Sequence, residues 1–199
     1  MFWPEEKKGI KDENIRLQLQ YGEFLQMVEK FDKAGELFSN HVETNDMHQR
    51  AVFLLAMAQS ADMLSPNKKT KKLNIKICDW VLNQKKLYKT PIYAKALYYK
   101  SLYMISGGQR KIGDALPYLH EYVNKFPKGR YIFPAKAKIA LCYLKMGKLA
   151  VAKRLCNDLS REHKGYAQFL EKVIARYEKH LDSKKYKYKK QVKNSKKEP

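Results

Sequence analysis

Apolar residues along the chain recur three and four positions apart, not two. Residues 135–146, for example, set Ala135, Ile139, Ala140, Tyr143, Leu144 and Met146 on overlapping i, i+3, i+4 rows, which predicts a helix with a wide buried face. Breaks fall at Ser65-Pro66-Asn67, Thr90-Pro91, Ser106-Gly107-Gly108, Phe126-Pro127-Lys128-Gly129 and Met146-Gly147, where glycine and proline interrupt helical periodicity. No alternating β-branched run bounded by hairpin turn residues is present, so no sheet is predicted. The pattern predicts four helix-turn-helix hairpins: Asn14 to Asn45 with a break near Glu29-Lys30, Met47 to Lys89, Ile92 to Lys128, and Tyr131 to Lys164. A last helix, Tyr166 to Leu181, is predicted to cover the open apolar end of the stack, since terminal units of a repeat need a capping face.

Small residues recur where two helices of a hairpin must approach closely. Gly22, Ala58, Ser101 and Ala140 hold this place in the first helices, and Ala34, Ala115 and Ala152 in the second. Together with Tyr21-Gly22-x2-Leu25, Phe31 and Ala34-x3-Phe38 in the first hairpin, and Ile139-Ala140-x2-Tyr143, Gly147 and Ala152-x3-Cys156 in the fourth, they resemble the tetratricopeptide repeat family. Gly22, Ala58, Ser101 and Ala140 are 36, 43 and 39 positions apart, against a family period of about 34. The excess is assigned to insertions, including the lysine run before Cys78-x3-Leu82. The resemblance covers roughly residues 14–165 and implies an all-α fold, an α-solenoid of about four such hairpins; with the capping helix the repeat domain is expected to span 14–181, preceded by a lead-in at 1–13 and followed by a basic tail at 182–199 whose composition predicts disorder. Tyr118-x3-Tyr122-x3-Phe126-Pro127-Lys128-Gly129 is similar to the repeat variant of bacterial envelope-assembly factors, which implies a partner-holding role in assembling a larger envelope or motor complex. The Lys/Arg/Asn clamp by which other members hold chaperone tails is missing: the matching positions are Leu19, Glu23 and Met27 in the first hairpin and Ala137, Leu141 and Leu144 in the fourth.

Charge changes the picture of partners. The 199 residues carry a formal net charge of +21, unevenly distributed. Residues 1–50 hold 7 basic and 10 acidic side chains, residues 51–100 hold 10 and 2, residues 101–150 hold 9 and 2, and residues 151–199 hold 15 and 6. A field of this sign favours acidic partners, whether protein, nucleic acid or an anionic membrane surface. Two clusters stand out: Lys68, Lys69, Lys71 and Lys72, and Lys184, Lys185, Lys187, Lys189 and Lys190 in the tail. Tyrosines 186 and 188 interleave the second, a composition that stacks on bases and neutralises phosphates; the simpler reading is a solvated tail with too little apolar content to fold alone.

Candidate chemistry adds little. The chain holds no glycine-rich phosphate loop, HExxH or GxSxG, and an enzyme is not expected. His41 and His48 straddle a predicted turn and have no convincing ligand set, so neither metal nor cofactor is expected. Cys78, Cys142 and Cys156 form no CxxC pair and lie in apolar patterns, as buried packing thiols in a reducing compartment do. No apolar run reaches the roughly 18 residues of a membrane span, and no export signal is recognised behind Met1-Phe2-Trp3-Pro4, so a cytoplasmic protein is expected, with peripheral association to a membrane complex compatible. The expected function is a non-catalytic protein-protein scaffold with an acidic protein partner, its groove lined by Tyr98, Tyr99, Tyr103, Met27 and Glu23; dense tyrosines at helical spacing serve packing first. The alternative is a nucleic-acid-associated helical repeat gripping phosphates through the lysine clusters.

Overall fold

Side-chain oxygens start four of the helices. Asp12 accepts from the Asn14 and Ile15 amides at 2.8 and 3.3 Å, Asp46 from Gln49 at 2.8 Å, Asn67 from Thr70 at 3.0 Å and Thr90 from Tyr93 at 3.2 Å. Each satisfies an amide that the first helical turn leaves unbonded. The structure is a computed structural model and describes residues 10–106 and 112–195. Among the described residues the helices are α1 (Glu13–Met27), α2 (Phe31–Ser39), α3 (Met47–Leu64), α4 (Lys68–Leu82), α5 (Pro91–Ser106), α6 (Ile112–Lys125), α7 (Ile132–Lys145), α8 (Leu149–Glu162) and α9 (Lys164–Ser195), with a 3-10 turn at Lys85–Leu87. No strand occurs among them, and the all-helical class stands.

The chain divides into two compact units, residues 1–132 and 133–199. Within the first, each helix from α1 to α6 packs on the next, and α3 also touches α5, the helix two further on. Its core gathers Leu19, Phe38, Phe53, Ala56, Val81 and Ile92, all fully buried. In the second unit, Ala140, Leu144, Ala152, Cys156, Leu159 and Leu170 form a core shared by α7, α8 and α9. The small residues named from the sequence are all buried: Gly22 in α1, Ala58 in α3, Ser101 in α5, Ala140 in α7, and Ala34, Ala115 and Ala152 in their partners.

Hairpin α1/α2 and hairpin α7/α8 turn through the same hydrogen bonds. Lys30 N–H donates to the Leu25 carbonyl at 2.9 Å and Glu29 N–H to Gln26 at 3.2 Å; Lys148 N–H donates to Tyr143 at 2.9 Å and Gly147 N–H to Leu144 at 3.0 Å. Each residue of the second set lies 118 positions after its counterpart (25 to 143, 29 to 147, 30 to 148). Both turns pass through the left-handed region, at φ +60° for Glu29 and +78° for Gly147, the paired-bond arrangement that ends a helix and satisfies its last carbonyls. Gly22/Ala140, Ala34/Ala152 and Phe38/Cys156 share the same offset. One local geometry is thus built twice from different side chains.

Two segments differ from their sequence reading. The lysine run 68–72, read as an insertion between helices, is the start of α4: Asn67 caps it, and lysine is a good helix former. Composition predicts a structureless tail from residue 182, yet helical backbone continues through Ser195; residues 166–195 contain neither glycine nor proline, so nothing in the segment stops the helix. The predicted Gly107-Gly108 turn and most of the 1–13 lead-in lie outside the described residues.

Candidate interaction surfaces

Helix α1 is apolar on two opposite faces. One carries Leu19, Gly22 and Leu25 into the core. The other presents Leu17, Tyr21 and Phe24, stepping by four and three, and is continued by the cap residue Val28, with Met27 beside them, all between 42% and 60% exposed. The Tyr21 and Phe24 rings stack with centroids 6.5 Å apart. Single exposed apolar side chains are ordinary, but five of them along one helix and its cap are the kind of grouping that calls for an explanation. Of the groove residues expected here, Met27 belongs to this stripe. Glu23 does not: it sits on the inner side of α1 and is buried. Sequence reasoning missed Leu17, Phe24 and Val28 and read Tyr21 only as part of the repeat pattern; the available signal was an excess of apolar residues around the whole circumference of α1.

The tyrosines of α5 face inward. Tyr98 and Tyr103 are buried and Tyr99 half-buried. Tyr98 stacks on Tyr131 with centroids 4.4 Å apart and planes within 6°, and lies 6.0 Å from Tyr122; Tyr99 meets Tyr103 at 6.1 Å. Burial pushes the Tyr103 hydroxyl well above the ordinary phenol range. A ligand therefore cannot reach Tyr98 or Tyr103 without displacing core rings, and their place is packing, not a groove. The Tyr122 hydroxyl accepts from the Tyr131 amide at 2.8 Å, and a β-carbon at Gly129 would stand 2.5 Å from that hydroxyl. This explains the glycine that follows Phe126-Pro127-Lys128.

Lys68, Lys69 and Lys72 are exposed on the first turns of α4, and half-buried Lys71 donates to the Ser106 carbonyl at 3.4 Å. Four ammonium groups at the positive end of a helix dipole oppose the helix, so they form a concentrated positive surface at a cost to local stability. The side chains of Lys184, Lys185, Lys187, Lys189 and Lys190 lie outside the described ones, although their backbone is helical.

Cations on aromatic rings recur in the first unit. Lys100 Nζ lies 3.8 Å from the Tyr118 ring centroid and 2.5 Å from Asp79 Oδ1; burial works against its ammonium, but bonds to Asp79 and Tyr118 outweigh that and raise its pKa. Tyr88 and Tyr93 meet edge to face at 5.3 Å and 75°. Beside them Lys125 Nζ lies 4.4 Å from the Tyr88 centroid, 5.9 Å from that of Tyr93 and 2.7 Å from Glu121 Oε1. The Tyr93 hydroxyl donates to the same carboxylate oxygen at 2.9 Å. Burial, then that hydrogen bond, pushes the Tyr93 pKa up to about 12, while bonds to Glu121 and Tyr88 hold Lys125 above the usual lysine range.

Among the described residues no group of His, Cys, Asp and Glu is arranged to hold a metal ion. His41 stacks on Phe53 at 4.9 Å, and His163 packs between Phe133 and Tyr166, 4.8 Å from each. Cys78, Cys142 and Cys156 are buried free thiols, pushed up by burial, Cys142 to about 11, which suppresses the reactive thiolate. A cavity of about 400 Å³ between the starts of α3 and α5 is lined in part by Asp46, His48, Lys86 and Thr90. No described helix is long and apolar enough to cross a membrane.

No family model, curated protein or solved structure matches the chain.

Proposed function

We propose that the chain is a non-catalytic protein-interaction scaffold built from tetratricopeptide-like hairpins. The repeat assignment draws support from the hydrogen bonds shared at an offset of 118 positions and from the buried small residues at matching places. The observation that carries the binding role is the outward stripe Leu17, Tyr21, Phe24, Met27 and Val28 along α1 and its C-terminal cap. Removing these side chains from water on a partner's apolar helix or loop would drive association, and the two aromatic rings supply the anchors that dominate interface energetics. Charge then sets orientation and rate: the basic remainder of the chain draws an acidic protein to it in a salt-dependent way.

The experiment is affinity capture from the native cell with wild-type protein and a Leu17→Asp/Phe24→Asp variant, at low and high salt and with nuclease. A partner retained at high salt, insensitive to nuclease and lost in the variant supports the scaffold. Equal recovery by both proteins removes the stripe from the function.

A second reading, polyanion binding, is favoured by Lys68, Lys69, Lys71 and Lys72 crowding the positive end of α4. Nuclease-sensitive recovery in the same experiment would select it.

A further inference from the structure

Tyr88, Tyr93 and Glu121 enclose an ammonium on three sides. The rings stand at 75° to each other, and the carboxylate closes the third side with Oε1 2.7 Å from the Lys125 nitrogen. Two perpendicular aromatic faces and an acid are the constellation that recognises quaternary ammonium groups, because the ring quadrupoles attract a cation whose hydration is weak. Tyr93 is the fixed wall: it is buried, its hydroxyl bonds Glu121, and Phe126 backs it at 6.5 Å. Tyr88 is the open wall, with nearly half its surface exposed. The occupant, Lys125, comes from one turn along the same helix as Glu121 and is itself exposed. The Lys125 and Glu121 side chains are each 30% exposed, so the pair borders solvent, and a swing of the flexible lysine stem opens the cage to another cation.

The surrounding charge narrows the ligand. Lys89 Nζ lies 5.8 Å from the same Tyr88 ring, and the chain carries +21 overall. A bare cation entering here meets Lys89 and the displaced Lys125, whereas one that carries its own phosphate gains two partners from them. We propose that Tyr88, Tyr93 and Glu121 form a choline-type cage, occupied in the free protein by Lys125, which exchanges that ammonium for the trimethylammonium of a phosphocholine group while Lys89 and Lys125 meet the phosphate. This site is separate from the α1 stripe, and its failure would leave the scaffold reading untouched.

The test follows the tyrosine ring signals of the full chain by NMR during titration with phosphocholine, with phosphoethanolamine and inorganic phosphate at matched ionic strength as controls. Phosphocholine is expected to give saturable shifts at Tyr88 and Tyr93 that phosphate alone does not. Tyr88→Ala, at an exposed position, should weaken binding about tenfold with little change in melting temperature, and Lys89→Ala should weaken phosphocholine but not tetramethylammonium. Lys125→Ala removes the competitor, so tetramethylammonium should bind about fivefold more tightly to it than to wild type. Vesicles of phosphatidylcholine form a parallel arm: co-sedimentation abolished by Tyr88→Ala assigns the group to a lipid headgroup, and binding of the free compound alone assigns a soluble ligand. If neither wild type nor Lys125→Ala shows saturable shifts, or Tyr88→Ala binds as wild type does, the cluster is a structural staple and the proposal is wrong.

Discussion

The ring of Phe38 occupies the place where a β-carbon on Gly22 would stand, its Cε1 and Cζ atoms overlapping that position. Phe38 is fully buried, so α1 and α2 come together by fitting an aromatic ring onto bare backbone. Gly22→Ala would force the ring from its site and should destabilise the first unit by about 1–3 kcal/mol, the usual range for overpacking. Gly22→Ala combined with Phe38→Leu should recover part of the loss. Urea unfolding of the four proteins of this cycle measures the coupling, and strictly additive effects would contradict the contact.

The matched turns give a prediction of opposite sign at two sites. Glu29 adopts φ +60° without glycine's freedom, whereas Gly147 occupies the same place in the turn between α7 and α8. Glu29→Gly should stabilise by about 1 kcal/mol and Gly147→Ala should destabilise by about the same, since the left-handed conformation strains a residue with a β-carbon. Thermal melts report both. A loss of stability in Glu29→Gly would mean that its side chain contributes more than its backbone costs.

Polyanion binding and stability should move in opposite directions at the start of α4. Replacing Lys68 and Lys69 by glutamate places acids where the helix dipole favours them, worth about 0.3–1 kcal/mol each. The double variant should melt higher than wild type and lose affinity for a single-stranded oligonucleotide, with a shallower dependence on salt. Unchanged oligonucleotide affinity would remove this cluster from any polyanion role.

Asp62 offers a pH signature. Its Oδ1 is buried without a hydrogen-bond partner among the described residues, and burial raises its pKa against the pull of Lys71. A carboxyl whose folded pKa lies above its unfolded one favours the folded state when protonated. That contribution is present below the unfolded value near 3.8 and is lost as pH rises through the folded value. Asp62→Asn should therefore melt higher than wild type at pH 7, with the advantage fading towards pH 3. A gain that does not change with pH would point to a cause other than ionisation.

What could be read from the linear chain was whatever depends on spacing and on residue type. Three-and-four periodicity forces helices, glycine and proline end them, and residues too small to obstruct a crossing mark where helices meet; Gly22, Ala34, Ala140 and Ala152 are buried for that reason. Composition could not separate a packed ring from an exposed one. Tyr98 and Phe24 are both aromatic residues on helices, yet one is sealed between Tyr122 and Tyr131 and the other faces outward, because exposure depends on which neighbouring helix covers each side. The same holds for Lys125: Glu121 lies one turn away on its own helix, but Tyr88, 37 positions away, reaches its ammonium only through tertiary packing. Local propensity and periodicity thus determined the elements, and tertiary packing alone decided which of their faces remain available.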